Sequence, residues 1–162
     1  MAINLLIHFD NSLEQSTSSA RKLMEELSKE QIKHIYNHEP VEIEITHKNL
    51  IQAVLDEPIE SKENEKFINL DSIKSSKIRW LTVKYLNLLE TVLEAWNNGI
   101  ADSDIIKTQL RYLYSPKDSS KGMETFREIV DGKNTYPAIH AFISSLKKEH
   151  DQPNEGKPPI GK

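Results

Sequence analysis

One long amphipathic segment, residues 71–98, constrains the fold of this chain more than any other feature. Its apolar side chains recur at steps of three and four residues, which places them on one face of an α-helix. The stripe consists of Ile73, Trp80, Leu81, Tyr85, Leu88, Leu89, Val92 and Trp96. Asp71 is a suitable N-cap, and Gly99 stands where helices commonly end in a left-handed residue. So wide an apolar face predicts a central helix with neighbours on more than one side.

Shorter apolar patterns on both sides of this segment predict further helices. Before it, the pattern predicts one helix from about Asn11 to Tyr36 and a short one from His47 to Leu55. After it, three more are predicted to begin near residues 103, 123 and 137. The sequence therefore predicts a mostly α fold, a helical bundle of about six or seven helices around the long central one.

Strand content is predicted at two short segments. Val41–Ile45 alternates strictly between apolar and acidic side chains, and residues 3–9 also alternate. The two would pair as a small ribbon that helices cover on one face. Two alternatives stay open, namely residues 41–45 as an extended connector and residues 3–9 as a short helix.

The chain is predicted to form one domain with a tail. Residues 1–149 carry the periodic apolar groups and form a single helical domain with a core large enough for independent folding. Residues 150–162 contain three prolines, two glycines and one aliphatic side chain, so we predict a disordered C-terminal tail there. The first residues have no basic n-region of a signal peptide, and the predicted location is the cytoplasm.

The composition argues against several classes of function. There is no cysteine, which removes disulfides, thiolate metal sites and cysteine nucleophiles. The net charge of −4 is unevenly placed, because residues 1–66 carry 13 acidic and 7 basic side chains whereas residues 67–162 carry 12 and 14. Nucleic-acid binding requires a basic face that neutralises phosphates. We therefore expect neither a nucleic acid nor a membrane as partner.

Three stretches of the long helix and its end form a recognisable pattern. Arg79, the stretch Tyr85–Glu90 and the stretch Gly99–Asp102 read as R…LN-x-x-E…G-I-x-D. This pattern resembles an uncharacterised family of bacterial and phage helical proteins, over roughly residues 69–148. The resemblance implies an all-helical fold and brings no activity, substrate or catalytic residue. Many members carry a membrane helix ahead of this region, and membrane attachment is not expected to carry over to this chain.

Four residues are candidates for a buried polar network or a ligand site: Arg79, Asn87, Glu90 and Arg111. Asn87 and Glu90 lie on a helix that is apolar nearly all round, so each is expected to need a partner. That partner would be a neighbouring helix end or a cation, and Arg79 and Arg111 are the candidate cations. The favoured interpretation is structural, a network that fixes how the long helix meets the next hairpin. The functional interpretation is a binding or acid/base carboxylate in a cleft.

Two further pairs of residues are candidates, one pair for a metal site and the other for an interface. His34 and His38 have the i, i+4 spacing of some zinc sites, but the residues between them do not form the HExxH arrangement. We predict no metal and no cofactor, with these two histidines as the only weak metal candidates. Tyr112 and Tyr114 cannot both face inward easily, so they are interface candidates.

The sequence leaves two classes of function open. The first is action through protein–protein contact, with another protein or a second copy of the chain, as a regulatory or defence-related bacterial or phage factor. It follows from the lack of a coherent catalytic constellation and from the resemblance. The alternative is a metal-dependent or acid/base hydrolase that uses Glu90 with histidines.

Overall fold

Residues 14–99, 103–113 and 121–151 are described by the computed structural model, and most of them are helical. In chain order the elements are α1 (Gln15–Glu25), α2 (Lys29–Tyr36), β1 (Val41–Glu44), α3 (Lys48–Leu55), β2 (Phe67–Leu70), α4 (Ser72–Asn97), α5 (Ser103–Leu110), α6 (Lys121–Ile129), α7 (Gly132–Thr135) and α8 (Pro137–Asp151). Single 3₁₀ turns precede α3 and follow α5. The predicted fold class, a mostly α bundle with a small two-stranded element, is confirmed.

The central position of α4 is as predicted. The Asp71 carboxylate accepts a hydrogen bond of 2.9 Å from the backbone N–H of Lys74, and Gly99 follows the helix with a φ of +73°. Helices from earlier in the chain (α1, α2 and α3) and from its end (α8) pack against α4. The core consists mainly of aliphatic side chains, with the fully buried Tyr85, Phe126 and Phe142 as its largest members.

One face of α4 is turned to solvent, contrary to the prediction for two of its residues. Ile73 and Trp80 were expected in the buried stripe, but they are 78% and 59% exposed. The two are seven residues apart and share a face with the exposed Lys77, Asn87 and Thr91. The opposite side of α4 supplies the buried residues, so the predicted packing on more than one side does not extend to the face that carries Ile73 and Trp80.

The single helix predicted from Asn11 to Tyr36 is wrong, because the chain breaks it after Glu25. Ser28 begins α2 with a capping box: its hydroxyl accepts from the N–H of Gln31 at 3.2 Å, and the Gln31 side chain accepts from the N–H of Ser28 at 2.9 Å. These bonds stabilise an extended backbone at Ser28 that a continuous helix does not allow.

The sheet uses a different second strand from the predicted one. Val41–Glu44 pairs antiparallel with Phe67–Leu70, with Val41 opposite Leu70 and Glu44 opposite Phe67. The predicted partner, residues 3–9, lies outside the described residues. In the described part of the chain, the other edge of β1 is covered by Gln31, whose Nε2 donates to the Glu42 carbonyl at 2.7 Å. Phe67–Leu70 fits the core because its side chains alternate between exposed and buried.

The C-terminal helices pack closely on the first ones. Gly122, near the start of α6, lies so close to the Met24 carbonyl that a Cβ there would overlap it. The left-handed residue after α6 is Asp131 (φ +56°), and Gly132 is the first residue of α7. Helix α8 runs to Asp151, so the first two residues of the predicted tail are helical and residues 152–162 lie outside the described ranges.

None of the helices within those ranges combines the length and apolarity that crossing a membrane requires.

Candidate functional site

Glu90, the main candidate, joins two helices that are distant in sequence. Its Oε2 accepts a hydrogen bond from the backbone N–H of Ala138, and its Oε1 accepts one from Ile139, both at 2.9 Å. Ala138 and Ile139 are the second and third residues of α8, whose first residue, Pro137, has no N–H. Glu90 therefore caps α8 in the way that an N-cap side chain does, but from another helix.

The local sequence explains why this helix needs an outside cap. The residue before Pro137 is Tyr136, whose hydroxyl is too far from its own backbone to reach the first turn. A carboxylate at this end also interacts favourably with the positive end of the helix dipole. Both acceptor oxygens of Glu90 are thus engaged by backbone, which supports the structural interpretation of this residue.

Tyr136 is the next member of the cluster and is only 4% exposed. Burial raises the pKa of the Tyr136 phenol; Arg79 opposes this rise, while Glu90 and Tyr36 add to it. The Arg79 guanidinium carbon lies 4.8 Å from the centre of the Tyr36 ring, a cation–π contact. The Nε of Arg79 is buried and has no hydrogen-bond partner within the described ranges. Arg79 and Glu90, which both lie on α4, therefore have opposite effects on the pKa of Tyr136.

Two of the four predicted network residues do not join this cluster. Asn87 was predicted to be buried, but it is exposed because it falls on the same outward face of α4 as Trp80. Arg111 is also exposed, and its Nη2 lies 4.0 Å from Oε2 of Glu149. The prediction of a single network was therefore wrong for Asn87 and Arg111, and Tyr136 and Tyr36 take their places beside Arg79 and Glu90.

The two candidate metal-binding histidines point to separate partners. Nδ1 of His34 lies 2.6 Å from Oε2 of Glu39, whereas Nδ1 of His38 lies 2.7 Å from the Ser76 hydroxyl. The expected common helix face fails because α2 ends at Tyr36 and His38 adopts a positive φ of 59°. In the part of the chain that the structure describes, no group of three or more His, Asp or Glu side chains could hold a metal ion.

Tyr112 and Tyr114, the interface candidates from the sequence, lie largely outside the described residues. The backbone of Tyr112 belongs to the 3₁₀ turn Arg111–Leu113, but its side chain and all of Tyr114 lie outside the described ranges. The structure points to other residues that sequence reasoning missed, namely Phe67, Ile73 and Trp80. The alternation of Ile73, Lys77, Trp80 and Lys84 along one helix face was a signal for an exposed stripe.

An open groove of about 530 Å³ runs beside β2. Its lining comes from β2 and from the loop segment 57–60, together with Glu65 and Lys74. Residues 39–65 contain eight acidic and two basic side chains, and the groove brings three of these acidic residues, Glu57, Glu60 and Glu65, together with the exposed Phe67. It therefore combines an apolar side chain with negative charge.

Comparison of the chain with protein-family models, with curated proteins and with solved structures found no match.

Proposed function

We propose that this chain is a protein-binding module whose contact surface is formed by β2 and the first half of α4. The observation that supports this proposal is the distribution of exposed large hydrophobic side chains. Among the described residues these are Phe67, Ile73 and Trp80, exposed by 45%, 78% and 59%, and all three fall within one stretch of fourteen residues. We call these three residues the apolar surface. We propose that they form one interaction surface, as contiguous exposed apolar groups commonly do.

Trp80 is the strongest anchor of the apolar surface. Its ring lies 5.3 Å from the Lys84 Nζ, and the same ammonium group lies 3.5 Å from a carboxylate oxygen of Glu14. This arrangement limits the freedom of the indole before any partner binds, which lowers the entropy cost of association. Aromatic side chains in such positions commonly contribute the largest share of binding free energy.

The alternative, a hydrolase that uses Glu90 with histidines, has less support. Both oxygens of Glu90 accept backbone hydrogen bonds, and the side chains of His34 and His38 face Glu39 and Ser76. Using Glu90 as an acid or base would uncap α8. We also propose that the module has a regulatory or defence-related role in a bacterium or phage. This proposal is based on the resemblance of the pattern from Arg79 to Asp102 to bacterial and phage helical proteins.

The test is a quantitative pull-down from the native host with three forms of the chain. These are the unmodified protein, the double variant Ile73→Ser/Trp80→Ser, and Thr91→Ala as a polar control on the same helix face. We expect a protein that the unmodified and control forms recover and that the double variant recovers about tenfold less. Circular dichroism and Tm should be equal for all three, because surface substitutions change stability little. Equal recovery by the double variant would contradict the proposal.

A second copy of the chain is the other partner that we propose to test. Sedimentation velocity over a wide concentration range would show a dimer that the double variant loses. A dimer of this kind would keep the apolar surface as the interface and change only the identity of the partner.

A further inference from the structure

One edge of β2 has backbone groups that bond to no other group in the described part of the chain. The backbone bond from the Ile45 N–H to the Lys66 carbonyl, at 2.8 Å, continues the antiparallel ladder and fixes its alternation. In such a ladder every second residue bonds to the neighbouring strand, so Ile68 and Leu70 face β1 while Phe67 and Asn69 direct their N–H and C=O groups to the other side. No group within the described ranges bonds to these outward N–H and C=O groups.

The outer edge of β1, in contrast, has a hydrogen-bond partner. Gln31 donates its side-chain N–H to the carbonyl of Glu42, one of the two β1 residues, with Glu44, whose backbone groups face outward. Natural sheets usually cover or charge their edges because a free edge accepts another strand. The molecule thus covers one edge of its sheet with α2 and leaves the other open along a groove.

The charge of that groove indicates which charge a segment that binds there should carry. Glu57, Glu60 and Glu65 line it, and Lys74 is the single cation among the described residues of its lining. Outside the groove, on β1, Glu42 and Glu44 stand across from Asn69 and Phe67 on the exposed face of the sheet. Charge complementarity therefore favours a cationic occupant.

We propose that the free edge of β2 binds an extended segment of a partner protein as a third strand, and that lysine or arginine alternates with apolar residues in this segment. This inference rests on the proposed function and names the partner class of its contact surface. The N–H and C=O groups of Phe67 and Asn69 form the main-chain bonds, as in other cases of strand addition. The Phe67 ring contacts the apolar side chains, and the glutamates of the groove pair with the basic ones.

The same groove disfavours edge-to-edge pairing of two copies. Such pairing would bring the three groove glutamates of both copies into one space, where like charges repel each other. An extended basic segment meets no such cost, because it neutralises these carboxylates instead.

Three labelled hexapeptides test the inference by fluorescence anisotropy. The first alternates lysine and valine, and the second alternates glutamate and valine. The third has the lysine–valine sequence with every backbone nitrogen methylated, which keeps the charge but removes the N–H donors. We expect the lysine–valine peptide to bind about tenfold or more tightly than either of the others, and to weaken as salt is raised. Its binding should shift the amide resonances of Phe67 and Asn69. Equal binding of the N-methylated peptide would overturn strand addition.

Variants of the chain give the second half of the test. Asn69→Pro removes an outward N–H and leaves the ladder to β1 intact, and Asn69→Ala is the matched control. We expect the proline variant to lose about tenfold in affinity for the lysine–valine peptide while the alanine variant keeps it. If circular dichroism shows that the proline variant unfolds, the double variant Glu57→Lys/Glu60→Lys replaces it, with the same expected loss.

The failure of this inference can be told apart from the failure of the proposed function. A host protein that Ile73→Ser/Trp80→Ser fails to recover, but that Asn69→Pro or the charge-reversed variant recovers fully, would overturn the edge and leave the binding module in place. A dimer that sedimentation shows to be lost in Asn69→Pro would also overturn the inference, because the occupant would then be a second copy.

Discussion

The carboxylate of Glu90 accepts a hydrogen bond of 2.9 Å from the backbone N–H of Ile139, across 49 residues of sequence. Together with the bond from Ala138, it satisfies two of the N–H groups that the first turn of α8 leaves without helical partners. The helix that carries Glu90 is the central one, so the cap also fixes where α8 begins along α4.

Replacing Glu90 should therefore destabilise the fold. In Glu90→Gln one carboxylate oxygen becomes an NH₂ group that faces a backbone N–H, and we expect a loss of about 1–2 kcal/mol in the free energy of unfolding. Urea denaturation at neutral pH measures it. Glu94→Gln, an exposed position one turn further along α4, is the control and should change stability by less than about 0.5 kcal/mol. Equal stability of the two variants would refute the capping role.

Tyr136 predicts a dependence of stability on alkaline pH. Burial raises the pKa of its phenol above the ordinary value of 10.0. Between the unfolded and the folded pKa, the folded state holds the proton more firmly, so the contribution of Tyr136 to stability declines as pH rises above about 10. Tyr136→Phe has no such proton, and its stability should fall less steeply over the same interval. Denaturation curves at several alkaline pH values compare the two slopes, and parallel slopes would contradict the assignment.

Gly122 and Gly99 should respond differently to alanine. A Cβ at Gly122 overlaps the Met24 carbonyl, so Gly122→Ala forces α6 away from α1 and should cost more than about 2 kcal/mol. Gly99 has a φ of +73° with open space around its Cβ position, so Gly99→Ala should cost only about 1 kcal/mol, from backbone strain. Thermal unfolding of both variants tests this order, and a Gly99→Ala variant that is the less stable of the two would reverse it.

The break between α1 and α2 depends on the Ser28 hydroxyl. Ser28→Ala removes the acceptor for the Gln31 N–H, and we expect a loss of about 1 kcal/mol. Ser28→Gly should lose only a few tenths of a kcal/mol, because glycine is itself tolerated as an N-cap. Chemical denaturation of the pair checks the prediction. Similar losses in both variants would show that the hydroxyl bond contributes little.

The long helix was predictable because its signals are local. Asp71 caps it and Gly99 follows it at the expected positions, and both depend on a few neighbouring residues. The Ser28–Gln31 capping box is equally local and could have been read from the sequence, although the apolar pattern running through it suggested one helix. The strand Phe67–Leu70 is only four residues long, too short for its alternation to stand out beside a polar loop.

The candidate site was predictable in kind but not in its members. A carboxylate on a largely apolar helix needs a donor, and a helix end was among the expected partners of Glu90. The sequence could not say which helix end, because the donors lie 48 and 49 residues away. Asn87 and Trp80 were placed inward for a related reason. Hydrophobic periodicity identifies a face of α4 but not how much of that face its neighbours cover.

The position of α4 between early and late helices has a consequence for synthesis. Helices α1, α2 and α3 leave the ribosome before α4 is complete, and they can pack on it at once. Helix α8 emerges about forty residues after α4 ends, so during translation the carboxylate of Glu90 and the nearby apolar side chains face water. Because contacts between distant residues form late, we expect the nascent chain to need chaperone protection in this interval, until Pro137 and the residues after it dock on α4.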